Sequence, residues 1–253
     1  MDKNGSIGIF DSGIGGITVL NEIIKLLPNE NYIYYSDSIN NPYGDKEDSK
    51  IKDICDNIVK MLIDRNCKII VVACNTASAR AVDYLRNKYK DIKFIAIEPA
   101  YKMVHDFAID KPTLVMATKG TIESERFNLL LKKYDNKKTY LLSCVGLADI
   151  IEEGNKEQIK KYLEDNLKGY KGKVQNVVLG CTHYPLIKEE IKEVLGNVEF
   201  FNGALSLAKH LKDVLEQDNL INENGEGKIY FKDSKGLKIK EDRFYDLLKK
   251  DGF

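Results

Sequence analysis

KIIVVACNTASARAVDYLRNKY (residues 68–89) runs from an unbroken apolar stretch, through a cysteine and small polar residues, into an amphipathic helical pattern. An apolar run without alternation fits a strand covered on both faces, the way strands of a parallel sheet are buried. The stretch NVVLGCTHYPLIKEEIKEVL (176–195) repeats the arrangement around a second cysteine. Cys74 and Cys181 thus close two strands in nearly the same local setting. Two thiols at matched positions suggest chemistry that needs two thiols.

Further strand-like runs lie at 7–10, 32–37, 93–97, 113–117, 139–143 and 198–201. Helical patterns such as ITVLNEIIKLL (17–27), EDSKIKDICDNIVKMLIDR (47–65) and SERFNLLLKKY (124–134) fall between them. Apolar strands alternating with amphipathic helices indicate an α/β protein with mostly parallel sheets. Sixty-three residues separate Asp11 from Cys74, and the same number separates Thr118 from Cys181. Equal spacing suggests two copies of one unit, hence two pseudosymmetric α/β lobes with an active-site cleft where the carboxyl ends of both sheets meet. The expected division is 1–98 plus 206–253 for the first lobe, with Asp11 and Cys74, and 99–205 for the second, with Cys181 and His183. The helix LSLAKHLKDVLEQ (205–217) returns to the first lobe, and a strand-like KIYF (228–231) and a last helix follow. NENGEG (222–227) between them reads as a solvated loop.

At 253 residues the chain is long enough for two modest domains with real cores. Its 39 basic and 39 acidic side chains cancel, so no nucleic-acid partner is indicated. The start, MDKNGS, is polar and no apolar run approaches the ~18 residues of a membrane span. No signal peptide, no membrane association and a cytoplasmic location are expected. Five cysteines without CxxC spacing, and three histidines outside any ligand pattern, argue for free thiols and no metal. Gly13, Gly15 and Gly16 do not fit GxGxxG, so no nicotinamide or flavin cofactor is expected.

Both thiols stand where a strand passes into a helix, and the free N–H groups and positive dipole end there would favour a thiolate. Asp11 in FDSGIGG (10–16) ends the first strand, where a carboxylate can take or orient a thiol proton. The glycines after it allow a tight turn and a close approach to ligand. His183, two residues beyond Cys181, can act as general acid or relay near neutral pH. Ser12, Asn75, Thr76 and Thr182 supply donors suited to the carboxylates of a small anionic ligand, and each also serves as a simple helix cap. SDSINNPYG (36–44) forms a turn at the ligand-entry edge, with Pro42, Tyr43 and Gly44 placed to close over substrate. Cys55 and Cys67, on a helix face and its end, read as packing residues.

Together FDSGIGG, SDSINNPYG, ACNTASA (73–79), IEPA (97–100), ATKGT (117–121) and LGCTHYPLI (179–187) resemble, over about residues 5–205, the glutamate racemase family of the cofactor-independent aspartate/glutamate racemase superfamily. The resemblance implies interconversion of L- and D-glutamate for peptidoglycan synthesis, no cofactor, and a homodimer. It implies Cys74 and Cys181 as the two acid/base residues, with Asp11 assisting Cys74 and His183 assisting Cys181. Asp11, Ser12, Tyr43, Gly44, Asn75, Thr76, Thr182 and His183 match the family's substrate-contacting motifs. Thr118 falls at a further carboxylate site, and Glu152 in SCVGLADIIEEGN (143–155) is the counterpart of a family glutamate. A racemase of aspartate or another acidic amino acid would keep both cysteines. The readings from other classes are a non-catalytic regulatory protein on the same scaffold and a hydrolase with one nucleophilic thiol. The presence of both thiols together with Asp11 argues against these two.

Overall fold

The apolar runs fold as strands because helices cover both of their faces. A computed structural model of the chain describes residues 2–108, 110–134 and 138–250. The first half contains β1 (Ser6–Asp11), α1 (Ile17–Leu26), β2 (Tyr32–Ser36), α2 (Asp48–Asp64), β3 (Cys67–Val72), α3 (Asn75–Lys88) and β4 (Phe94–Ala96). Its strands pair in parallel in the order β4-β3-β1-β2. Ile7 and Ile9 of β1 pack with α1 on one face, while Phe10 packs with α2 and α3 on the other. That is the two-residue period of a strand buried on both sides.

The chain then repeats the plan. α4 (Tyr101–Ala108) leads into β5 (Thr113–Ala117), α5 (Lys119–Ile122), α6 (Glu125–Lys133) and β6 (Thr139–Ser143). α7 (Leu147–Glu153), α8 (Lys156–Leu167), β7 (Asn176–Gly180), α9 (Lys188–Leu195) and β8 (Glu199–Phe201) follow. The second sheet is also parallel, in the order β8-β7-β5-β6, which is the topology of the first sheet strand for strand. β1 therefore corresponds to β5 and β3 to β7, the strands that the 63-residue offset connects.

Past the second sheet, α10 (Ala204–Gln217) lies along α1, β9 (Ile229–Asp233) adds to β2 as a fifth parallel strand, and α11 (Lys238–Lys250) closes the described chain. Phe244 of α11 stacks on Phe231 and lies against Tyr34, with ring centroids 4.4 and 4.9 Å apart, which ties the last helix to the first sheet. Among the described residues no helix is long and apolar enough to cross a membrane.

Two local expectations change. Cys67 is the buried first residue of β3 rather than a helix end, because α2 stops at Asp64. The NENGEG stretch is not wholly solvated, since Asn222 is buried and its N–H donates to Glu30 Oε1 at 2.9 Å. Glu30 is in turn the partner of the buried Lys68 ammonium at 2.6 Å. A buried cation requires such a partner, so the loop is pinned at its start.

Because each sheet is wholly parallel, all its carboxyl ends emerge along one edge. Asp11 ends β1, Cys74 follows β3 by two residues, and Thr118, Cys144 and Cys181 each directly follow β5, β6 and β7. The frame that holds those ends depends on cores such as the one between α1 and α10, where Leu211 is fully buried. Leu211→Ala is expected to lower unfolding stability by about 2–5 kcal/mol in urea denaturation. A change below about 0.5 kcal/mol, typical of surface sites, would contradict that packing.

Candidate active site

β3 delivers Cys74 to the N-cap position of α3 in extended conformation, at φ −73° and ψ 122°, with its sulfur 3.9 Å from the Ser12 hydroxyl. β7 delivers Cys181, whose sulfur lies 3.8 Å from His183 Nδ1. Both cysteines are buried. The two settings differ beyond that point. After Cys181 the chain makes a 3₁₀ turn over Tyr184–Ile187, opened by Pro185, before α9 begins at Lys188. The α-helix start expected at Cys181 is therefore displaced down the chain, and the helix-dipole argument applies to Cys74 alone.

Charged groups form a layer behind the sulfurs. His183 Nε2 meets Glu152 Oε2 at 2.6 Å, and Glu152 Oε1 accepts from Lys240 Nζ at 2.7 Å. The Ile14 N–H donates to Glu152 Oε2 at 3.1 Å. Asp11 Oδ2 accepts from the N–H groups of Gly13 and Gly16 at 3.1 and 3.2 Å, and Oδ1 accepts from the Thr182 hydroxyl at 3.2 Å. The glycine turn after β1, expected to approach ligand, lies instead against the Glu152–His183 pair. A Cβ on Gly13 would stand 2.5 Å from Glu152 Oε2, and one on Gly15 would overlap the His183 ring. Glycine at these positions is a requirement of close approach.

Both sulfurs face one cavity of about 500 Å³, open mouth included, between the two sheets. Ser12, Tyr43, Gly44, Asn75 and Thr76 line it from the first sheet's side, and Thr118, Thr182 and His183 from the second's. The Thr76 and Thr118 hydroxyls meet across it at 2.8 Å. Tyr43 turns its hydroxyl away, donating to Asp37 at 2.6 Å. Asn75 Oδ1 is buried with no hydrogen-bond partner. Asp11 and Glu152 do not line the cavity; they stand behind it with their oxygens committed to protein donors. Both Asp11 and Glu152 were expected as substrate contacts, and for both this is a correction.

The family model described as Asp/Glu/Hydantoin racemase matches residues 30–211. The chain belongs to that family. It is 42% identical over 240 residues to the glutamate racemase of Clostridium botulinum (strain Alaska E43 / Type E3), covering 92% of this chain and 93% of that one. The crystal structure of glutamate racemase from Francisella tularensis in complex with D-glutamate is similar at TM-score 0.82 and 31% identity, covering 97% of this chain and 94% of that one. The Escherichia coli glutamate racemase, in complex with L-glutamate and the activator UDP-MurNAc-ala, is similar at TM-score 0.81 and 28% identity, covering 98% and 96%. As a member of this racemase family the chain is an isomerase.

The racemase cavity has further lining that the motifs did not single out: Asp45, Lys119, Cys144–Gly146 and Asp149. Asp149 accepts from Asn41 across the cleft at 2.7 Å. The available clue was position, since Cys144 directly follows a parallel strand and Gly146 takes the left-handed conformation, φ 77°, that starts α7.

Burial sets the electrostatics of this racemase site. Burial opposes charge on Glu152, but His183 and Lys240 outweigh it and hold the carboxyl at about 2. Burial opposes charge on His183 too, and its bonds to Cys181 and Glu152 raise it well above the ordinary histidine range. Burial pushes the Cys74 thiol up to about 12, and the Asp11 carboxylate beside it adds to the rise. Asp11 is itself raised by burial, against the pull of His183 and the Gly13 N–H. The thiolate expected at Cys74 is thus a thiol here. The Ala77 N–H at the helix start favours charge on the sulfur, but burial and Asp11 outweigh it.

A carboxyl held below its ordinary value stabilises the fold above that value and loses the contribution as pH falls through the lowered one. Glu152→Gln is expected to cost about 3–5 kcal/mol near neutral pH, since it leaves His183 buried without its counter-charge. The gap from wild type should narrow as pH falls from 4.5 toward about 2. Urea denaturation of both proteins over that range checks it, and a gap independent of pH would contradict the ion pair.

Proposed function

We propose that the chain interconverts L- and D-glutamate without a cofactor, with Cys74 and Cys181 exchanging the roles of base and acid on opposite faces of Cα. The observation that carries this reading is that thiols from two equivalent strands line the same cavity. In each direction one sulfur enters as thiolate, takes the α-proton and becomes a thiol. The electron pair left on Cα spreads into the α-carboxyl group. The other sulfur gives its proton to the opposite face and is left as thiolate, ready for the reverse reaction. Cys74, whose proton is held by burial and by Asp11, suits the thiol role at the start. His183, beside Cys181, can balance charge on that sulfur as its protonation changes.

Substrate groups have matching partners in this reading. Asn75 Oδ1 is a buried acceptor for the ammonium group. The hydroxyls of Ser12, Thr76, Thr118 and Thr182, with the backbone at Tyr43 and Gly44, are donors for the two carboxylates. Asp11 tunes Cys74 and holds Thr182. Glu152 acts through His183, because its oxygens already serve three protein donors. The D- and L-glutamate bound by the Francisella and Escherichia proteins support the choice of substrate. The same reading has residues 1–98 plus 206–253 and 99–205 as two lobes closing on substrate. It supplies D-glutamate for peptidoglycan synthesis in the cytoplasm, where the five free thiols stay reduced, and it works as a homodimer.

Optical rotation of L-glutamate incubated with wild type, Cys74→Ala and Cys181→Ala tests it. The wild type should racemise the sample, and each variant should be slower by about 10²–10⁴. A wild type that leaves glutamate unchanged, or that racemises aspartate in preference, would defeat the proposal, as would a fully active variant.

A further inference from the structure

The last helix reaches the charged layer behind Cys181. α11 is tied to the first sheet through Phe244, yet Lys240, in its first turn, meets α7 beside the second sheet. Lys240 Nζ donates to Glu152 Oε1 at 2.7 Å and to Ser38 Oγ at 2.6 Å. Ser38, in the turn over the cavity, also donates to Asp233 at the end of β9. Arg243, one turn along α11, donates to the carbonyls of Ile151 and Glu152 that close α7. Contacts therefore run without a break from Lys240 to Glu152, His183 and Cys181, at 2.7, 2.6 and 3.8 Å. Lys240 does not line the cavity.

We propose that Lys240 is a positioning residue for the acid/base work of Cys181, holding Glu152 in the orientation from which it fixes His183 against the sulfur. This rests on the two-thiol reading. Glu152 Oε2 is taken by His183 and the Ile14 N–H, and Oε1 by Lys240, with a longer 3.3 Å contact to the same N–H. The terminal torsion of a glutamate is soft, so its setting comes from its partners. Without Lys240 the carboxylate turns toward whatever donor remains and carries the imidazole with it. A misplacement of about 1 Å in such a group costs up to about 100-fold in rate.

Charge gives Lys240 a second, separable signature. The groups facing Glu152 are His183, Asp11 at the end of β1, Tyr34 of β2, Asp149 of α7, and Lys240 and Arg243 of α11. Among the described residues, His183 and Lys240 are the cations bonded to its carboxylate. Removing Lys240 leaves Asp11 and Asp149 opposing the charge on Glu152, so the carboxyl binds its proton at higher pH. Once protonated, it no longer holds an imidazolium.

The test is kcat and KM for glutamate, with unfolding stability in urea followed down to acid pH, for wild type, Lys240→Met, Lys240→Gln and Lys240→Arg. The Met and Gln variants should lose about tenfold in kcat, with KM changed by less than about twofold. The loss of unfolding stability that follows protonation of Glu152 should set in at higher pH in the Met and Gln variants than in wild type, and Lys240→Arg should restore both the rate and that profile. An unchanged kcat and acid stability profile would overturn the proposal, and so would a fall in kcat with that profile unmoved or with KM rising in proportion. If Met and Gln both fail to fold while Arg is active, Lys240 serves stability and the proposal falls. A wild type inactive on glutamate defeats the two-thiol reading as well, whereas an active wild type with indifferent Met and Gln variants defeats this inference alone.

Discussion

A parallel strand offers ligands only its carboxyl end, because its two faces are covered by helices and its edges by neighbouring strands. Two parallel sheets can build one site by directing those ends at each other, and this chain does so with the same four-strand order twice. The matched thiols follow from that constraint. Cys74 and Cys181 occupy equivalent strand ends, so they meet one cavity from different sheets without any irregular backbone to redirect them. Thr76 and Thr118 touching across the cleft, and Thr182 reaching Asp11, mark how closely the two edges approach.

That approach buries charge, and the buried charge dictates the neighbourhood. Asp11, Glu152 and His183 are all nearly inaccessible to water. An isolated ion at such depth would be neutralised, so each is given partners: backbone N–H groups and a hydroxyl for Asp11, and a histidine, a lysine and a backbone N–H for Glu152. The two thiols differ in consequence. Cys74 has a carboxylate for a neighbour and holds its proton, while Cys181 has an imidazole within reach of its sulfur. Topological symmetry and chemical asymmetry coexist, as a reaction needing one acid and one base at any moment requires.

The strands around Cys74 and Cys181 were legible because parallel sheets leave an unbroken apolar signature, and His183 was legible because it is local to Cys181. Eight of the ten expected contact residues line the cavity with the cysteines: six stand just after a strand or at a helix start, while Tyr43 and Gly44 lie in the turn between β2 and α2. What could not be read was set by tertiary contacts. Glu152 was expected at the substrate, but Ile14, 138 positions away in sequence, and Lys240, 88 positions away, claim its oxygens. The proton on Cys74 depends on burial and on a carboxylate that no local pattern could weigh against a helix start. The 3₁₀ turn after Cys181 had a visible cause in Pro185, which favours the first turn of a helix and so delays α9.

The central claim is that the proton removed from one face of Cα is not the proton delivered to the other. L-glutamate turned over in D2O, with the first product isolated before appreciable reversal, tests this most directly. The thiols exchange with solvent before substrate binds, so the first D-glutamate should carry deuterium at Cα while the remaining L-glutamate still carries protium. D-glutamate that retains the substrate's own proton would mean that a single group removes and returns it, and would contradict the divided pair of Cys74 and Cys181.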